Sequence, residues 1–246
     1  MRKFIDYSWW KDVTIATVGT IVGIILTFGT TFYLEDKTQK EIADKTVLMT
    51  LHNIDSSIEN LSNLLNEMQQ NDTLFQRAMS LMPDSLSVMG KDSLELIVNR
   101  FASTRAYATD KSTRQIFSSS FEVWQNLDDV KVISRIGNCY SMLDLCYKEY
   151  DKIEKLRVES FQAYWNDCPP QDYADPEKAV KEFLKRNDVR YAINVQGYTT
   201  PFLLSVNDLI RQLNESNKKV LDITQDELDE VGNLLDKNKY FNNKDL

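Results

Sequence analysis

His52 is the single histidine of this 246-residue chain, and three cysteines stand at 139, 146 and 168. These are the side chains best suited to nucleophilic or metal chemistry. One histidine cannot complete a His–Cys zinc cluster at ordinary spacing. No G-x-S-x-G, P-loop or G-x-G-x-x-G occurs. Asp128 and Asp129 are adjacent, so on a helix they do not face one another. The other carboxylates are scattered, as on solvated faces. No catalytic, cofactor-binding or metal-ligating residue is assigned, no cofactor is implied, and an enzyme is not expected.

Geometry also limits the cysteines. Cys139 and Cys146 share one predicted helix and lie about 10.5 Å apart along its axis, beyond disulfide reach. Cys168 falls past the end of that helix, about 30 Å from Cys146. Buried free thiols are therefore expected, with a Cys168 link between two chains left open. Tyr140, Tyr147 and Tyr150 fall on the apolar face of the same helix, and Tyr164 and Trp165 mark its end. Such rings can line a ligand pocket, but an ordinary core that satisfies each hydroxyl is the expected arrangement.

The elements that position these residues begin with an apolar segment. Residues 13–33 read VTIATVGTIVGIILTFGTTFY, 21 residues without a charge. At about 1.5 Å per residue they span roughly 30 Å, the thickness of a bilayer's hydrocarbon core. Trp9, Trp10 and Tyr33 sit at its edges, where amphipathic rings prefer to lie. A cleaved signal would have a shorter apolar core and a small-x-small site, and FYLED offers none. The segment is predicted to be a transmembrane helix after a tail over 1–12. Its two flanks carry three basic residues each, so the positive-inside count is tied. The absence of Lys and Arg from 46 to 76 leans toward a cytoplasmic N-terminus. Gly19 and Gly23 form a GxxxG pair, with Ala16 and Thr27 at helical spacing; together they form a candidate surface for membrane-helix association.

The rest of the chain, 34–238 with a frayed tail at 239–246, is expected to be helical. Setting aside the three basic and two acidic residues of the first 33 leaves it a formal charge of −9. That balance argues against nucleic-acid phosphates as partners. Only four glycines fall here, too few for the turns of a many-stranded β-protein. Val47, Leu51, Ile54, Ile58, Leu61, Leu65 and Met68 repeat with 4-3 spacing, a heptad seam on a helix over about 36–70. A short helix is predicted from Thr73 to Met82, others over about 93–108 and 113–126, and a second long one over about 129–165. On the latter, Ile133, Ile136, Tyr140, Leu143, Tyr147, Tyr150 and Ile153 form the predicted seam. Asp175-Pro176 caps a helix over about 176–187. Gly197 and Pro201 read as breaks, followed by a helix from Pro201 to about Val220. Thr224 to Glu227 is a capping box for a last helix over about 225–238. The predicted fold is all-α: a transmembrane helix, then an antiparallel bundle with two long helices.

The motifs VGTIVGIILTF, FEVWQNLDDVKVI, YSMLDLCYKEYDKI and NDVRYAINVQGYTTPFLLSVNDLIRQL follow in that order. The arrangement resembles a family of uncharacterised bacterial single-pass inner-membrane proteins with an N-terminal transmembrane helix and a helical periplasmic domain. The resemblance implies inner-membrane localisation with the bulk of the chain in the periplasm. It transfers no activity and no site residues. The expected function is a membrane-anchored interaction or scaffold protein, in contact with lipid and with a protein partner or a second copy of itself. The alternative is an extracytoplasmic ligand sensor signalling through a partner.

Overall fold

The computed structural model describes residues 39–103, 114, 115, 117, 118, 124, 129–167 and 175–242, with side chains placed from 43 to 233 within that set. Among them are six α-helices and no strand: α1 (Gln39–Ser80), α2 (Lys91–Ala102), α3 (Val130–Asp167), α4 (Pro176–Lys185), α5 (Asn187–Val220) and α6 (Gln225–Asn242), with a 3-10 turn at Leu86–Met89. The protein is all-α. The predicted membrane helix and its residues Ala16, Gly19, Gly23 and Thr27 lie outside the described residues, as does Cys168. Among the described residues no helix is long and apolar enough to cross a membrane.

Three helices are long rather than two, with 42, 38 and 34 residues in α1, α3 and α5. α1 does not stop near Gln70. The weak helix formers Asn71, Asp72 and Thr73 suggested a break, but the 4-3 rhythm carries through them to the fully buried Phe75. Asn71 is itself buried and accepts a 2.9 Å hydrogen bond from Arg100 Nη1. α5 likewise runs through both Gly197 and Pro201. A proline ring inside a helix crowds the carbonyl four residues back and leaves it without an N–H partner. Here that carbonyl belongs to Gly197. α4 opens as expected: Asp175 accepts hydrogen bonds from the backbone N–H groups of Glu177 and Lys178 at 3.0 and 3.3 Å, with Pro176 at the first position. α6 continues past 238 to Asn242.

The chain divides into two compact units, 53–109 with 131–224 and 1–52 with 110–130 and 225–246. In the larger unit three seams keep a strict 4-3 rhythm. α1 buries Ile54, Ile58, Leu61, Leu65 and Met68. α3 buries Val132, Ile136, Cys139, Leu143, Cys146, Tyr150, Ile153, Arg157, Ser160 and Tyr164. α5 buries Val189, Ile193, Gln196, Thr200, Leu203, Asn207, Ile210, Asn214 and Asn217. The α3 seam differs from the predicted one: Ile133 and Tyr147 are only half-buried, and the cysteines take the inward positions.

Cross-helix bonds fix the directions. Asp55, Ser62 and Asp72 of α1 meet Asn214, Asn207 and Gln196 of α5, so those two run antiparallel. Cys139 Sγ on α3 lies 3.8 Å from the Ile210 carbonyl of α5, while Asp167 pairs with Arg186 just ahead of α5, so α3 and α5 are antiparallel too. α1 and α3 therefore run parallel, which a purely antiparallel bundle does not allow.

One end of this unit is closed by an apolar cluster from the 3-10 turn, α2, α4 and the adjoining ends of the long helices. Phe75, Phe101, Phe183 and Tyr164 meet edge to face in sequence, with centroids 5.8, 4.9 and 4.9 Å apart. Arg157 lies 3% exposed beneath it. Its Nη1 donates to Glu154 at 2.6 Å. Its Nη2 donates to the carbonyls of Arg100, Phe101 (3.0 Å) and Ser103 (2.8 Å) at the C-terminus of α2. A guanidinium thus meets the negative end of a helix dipole and its unsatisfied carbonyls.

In the smaller unit α1 buries Ala43, Val47, Met49 and Leu51, and α6 buries Leu228. A methyl group added to Gly232 would stand 2.6 Å from His52 Cε1, so the imidazole fills the space that this glycine leaves. Trp124, also buried, donates to the Phe117 carbonyl at 2.8 Å.

Replacing Arg157 with Ala should destabilise the protein by about 3 kcal/mol, since it leaves a buried carboxylate and three helix-end carbonyls without their donor. Arg157→Lys should recover less than half, because an ammonium cannot span that fork. Urea denaturation of the three proteins measures both.

Candidate functional site

α5 buries amides and hydroxyls where a coiled-coil seam ordinarily holds Leu or Ile. Five of its nine seam residues are polar: Gln196, Thr200, Asn207, Asn214 and Asn217. Most reach across to α1. Asn207 Nδ2 donates to Ser62 Oγ at 2.7 Å and to the Ile58 carbonyl at 3.4 Å. Asn214 Nδ2 donates to Asp55 at 2.8 Å. Lys218, 8% exposed, holds Asp55 at 2.7 Å and Glu215 at 2.6 Å. Burial alone would lower the Lys218 pKa, but its two carboxylate partners outweigh that and hold it above 10.5. On the α3 side Tyr140 donates to Asn53 at 3.2 Å.

The Gly197–Pro201 stretch opens a groove of about 510 Å³ against α1. Its walls are Gln69, Asp72, Thr73 and Gln76 from α1, and Asn194, Gly197, Tyr198, Thr200, Pro201 and Leu204 from α5. Gly197 lets the two helices approach closely: a methyl group there would come within 3.3 Å of the Nε2 tip of Gln76. Behind the groove Gln196 Nε2 donates to Asp72 at 2.6 Å, and Thr200 Oγ1 donates to the Gln196 carbonyl at 2.9 Å. Gln196 Oε1 is buried without a hydrogen-bond partner. Burial raises the Asp72 pKa above 3.8; hydrogen bonding by Thr200 and Gln196 and the charge of Arg157 act in the opposite direction. The groove offers amides, hydroxyls and one carboxyl group. These groups are hydrogen-bond donors and acceptors, and no histidine or thiol is among them.

The residues singled out from sequence fall elsewhere. All seven seam residues, Val47, Leu51, Ile54, Ile58, Leu61, Leu65 and Met68, are buried, the first two in the smaller unit and the other five in the larger. They form core and do not enter the groove. Burial pushes the Cys139 thiol up to about 12 and the Cys146 thiol up to about 11. Among the described residues no three His, Cys, Asp or Glu side chains cluster closely enough to hold a metal ion. Sequence reading missed the groove because Gly197 and Pro201 were taken as ends of helices. The signal that would have found it is the polar 4-3 rhythm of 196, 200, 207 and 214, which continues across both.

No protein family matches this chain, and neither a curated protein nor a solved structure resembles it.

Asp72→Asn should stabilise the protein at pH 7, raising Tm by roughly 2–4 °C. A carboxyl group whose pKa is raised by folding contributes stability that is full below 3.8 and is lost as pH rises past that value. The variant's Tm should therefore exceed the parent's above this window and converge with it below, the difference isolating Asp72 from the other carboxylates. Cys139 and Cys146 should resist maleimide at pH 7.5 in the folded protein and label within minutes in denaturant, as mass spectrometry would show.

Proposed function

We propose that this chain is a membrane-anchored helical interaction or scaffold protein. The observation that carries the reading is how its buried charges are used. Arg157, Glu154, Lys218 and Asp55 are committed to helix ends and to helix–helix register, and none converges on a reactive centre. Such a unit presents surfaces in fixed relation, which is the work of a scaffold. The anchor is the uncharged segment over 13–33, long enough to span a bilayer. In this reading the helical part lies in the periplasm and the short tail in the cytoplasm, as expected for the arrangement of motifs along the chain.

A second reading, ligand sensing, is favoured by one observation, the amide-lined groove between α1 and α5. A small polar molecule bound there would contact both helices and bias their register. It would also raise the melting temperature in proportion to ln(1 + [L]/Kd). A screen of small amides, sugars and amino acids against the full chain tests this. A saturable shift abolished by Gln76→Leu would favour the sensor over the scaffold.

For the scaffold, the full chain should stay with membranes after alkaline extraction, and crosslinking in native membranes should trap it with a defined protein or a second copy. Release of the chain into the alkaline supernatant would remove the anchor from the reading. Gly19→Leu with Gly23→Leu should weaken any association made through the membrane segment severalfold in a membrane reporter assay.

A further inference from the structure

The outer face of α5 carries a pattern that none of the internal packing uses. Tyr191, Tyr198, Phe202 and Leu209 are 61, 84, 48 and 42% exposed. At about 100° per residue they fall within about 20° of one line along the helix. The first three lie in a run from Tyr191 to Asn207 with no charged residue, 17 positions in a chain that is 27% charged, and Leu209 follows just beyond Asp208. Apart from the N-terminal apolar segment, no other stretch of the sequence is uncharged for so long. Depletion of charge with enrichment of aromatic residues marks the centre of a protein–protein contact.

The spacing identifies the partner. From 191 to 198 to 202 to 209 the steps are 7, 4 and 7, which read the same in both directions. A two-fold axis beside residue 200 therefore lays α5 antiparallel on its own copy, with Tyr191 opposite Leu209 and Tyr198 opposite Phe202. The flanks fall close to the same axis. Arg190 and Asp208, both exposed, lie on one side of the stripe and come within two residues of register across it; Asp208 pairs with Arg211 at 2.8 Å in its own chain and faces Arg190 of a second copy as an opposite charge. Asn194 and Ser205, also exposed and on that side, meet as hydrogen-bonding groups. The side in question is the one that borders the groove, where Tyr198 is a wall.

We propose that this chain forms a two-fold symmetric homodimer through the exposed face of α5 from Arg190 to Leu209. The proposal rests on the reading of the helical region as an interaction module and names its partner; it does not depend on the membrane segment. The stripe is about 27 Å long and about 10 Å wide, roughly 300 Å², against about 800 Å² per partner in a standard interface. The contact is accordingly weak in dilute solution and is favoured where copies are held at high local concentration.

The test is crosslinking in intact cells that express two differently tagged full-length chains in a Cys168→Ser background. One carries Tyr191→Cys and the other Leu209→Cys, and a short bismaleimide is the probe. The expected result is a mixed dimer, with each single variant failing to crosslink to itself, because like positions lie about 27 Å apart along the axis. Tyr198→Glu should cut the mixed crosslink severalfold with little change in melting temperature, as that side chain is 84% exposed. Arg190→Asp alone should weaken it severalfold, and adding Asp208→Arg should restore it. Equal crosslinking of Tyr191→Cys with itself, or no crosslink between copies at all, overturns the dimer. The scaffold reading falls only if, in addition, native-membrane crosslinking finds no other protein.

Discussion

An amide buried in a helix seam must find a partner or cost the full desolvation of its polar atoms, of order 1–3 kcal/mol each. α5 buries four such side chains, Gln196, Asn207, Asn214 and Asn217, along one edge. Apolar seams slide past one another at modest cost, whereas the three of these that bond to α1 cannot; both amide atoms of Asn217 are buried without a partner. Asn207 must stand level with Ser62, Asn214 with Asp55 and Gln196 with Asp72. The register of α5 on α1 follows from those three pairings, and the positions of the groove and of the outer aromatic stripe follow from the register. The same register brings Gly197, the neighbour of Gln196, close to the Gln76 side chain.

Much of the fold was legible where hydrophobic rhythm and core coincide. On α1, the seven apolar residues from Val47 to Met68 that carry the heptad rhythm are all buried. The α3 seam was displaced because Cys139, Cys146, Arg157 and Ser160 occupy its core positions while the more hydrophobic Ile133 and Tyr147 lie beside it. The length of α5 was lost because local propensity at Gly197 and Pro201 argued for termini. Tertiary contacts on both sides of the break overrode that preference, at a helix whose polar seam gave no hydrophobic rhythm to read. The parallel course of α1 and α3 had no local signature, since direction is set by bonds between residues far apart in sequence, such as Tyr140 with Asn53.

The candidate site was the least legible part. A groove formed by carboxamides, hydroxyls and one carboxyl group has no motif, because any one of these residues is unremarkable on a helix. It exists only through the approach of two helices at a point where one of them carries a glycine and a proline four residues apart. Most charged residues lie on the surface, but Glu154, Arg157 and Lys218 are drawn inside, the two cations against carboxylate or carbonyl oxygens. Their placement gives the larger unit two separate buried ion pairs, Arg157 with Glu154 and Lys218 with Asp55.

Pro201 also gives this unit a mechanical character. A helix resists bending through its ladder of backbone bonds, and at the Gly197 carbonyl one rung is missing. α1 passes the same level unbroken, stiff through residues 69–76. Strain imposed along the bundle would therefore concentrate in α5 at that level, and the rod would flex there before it yielded anywhere else.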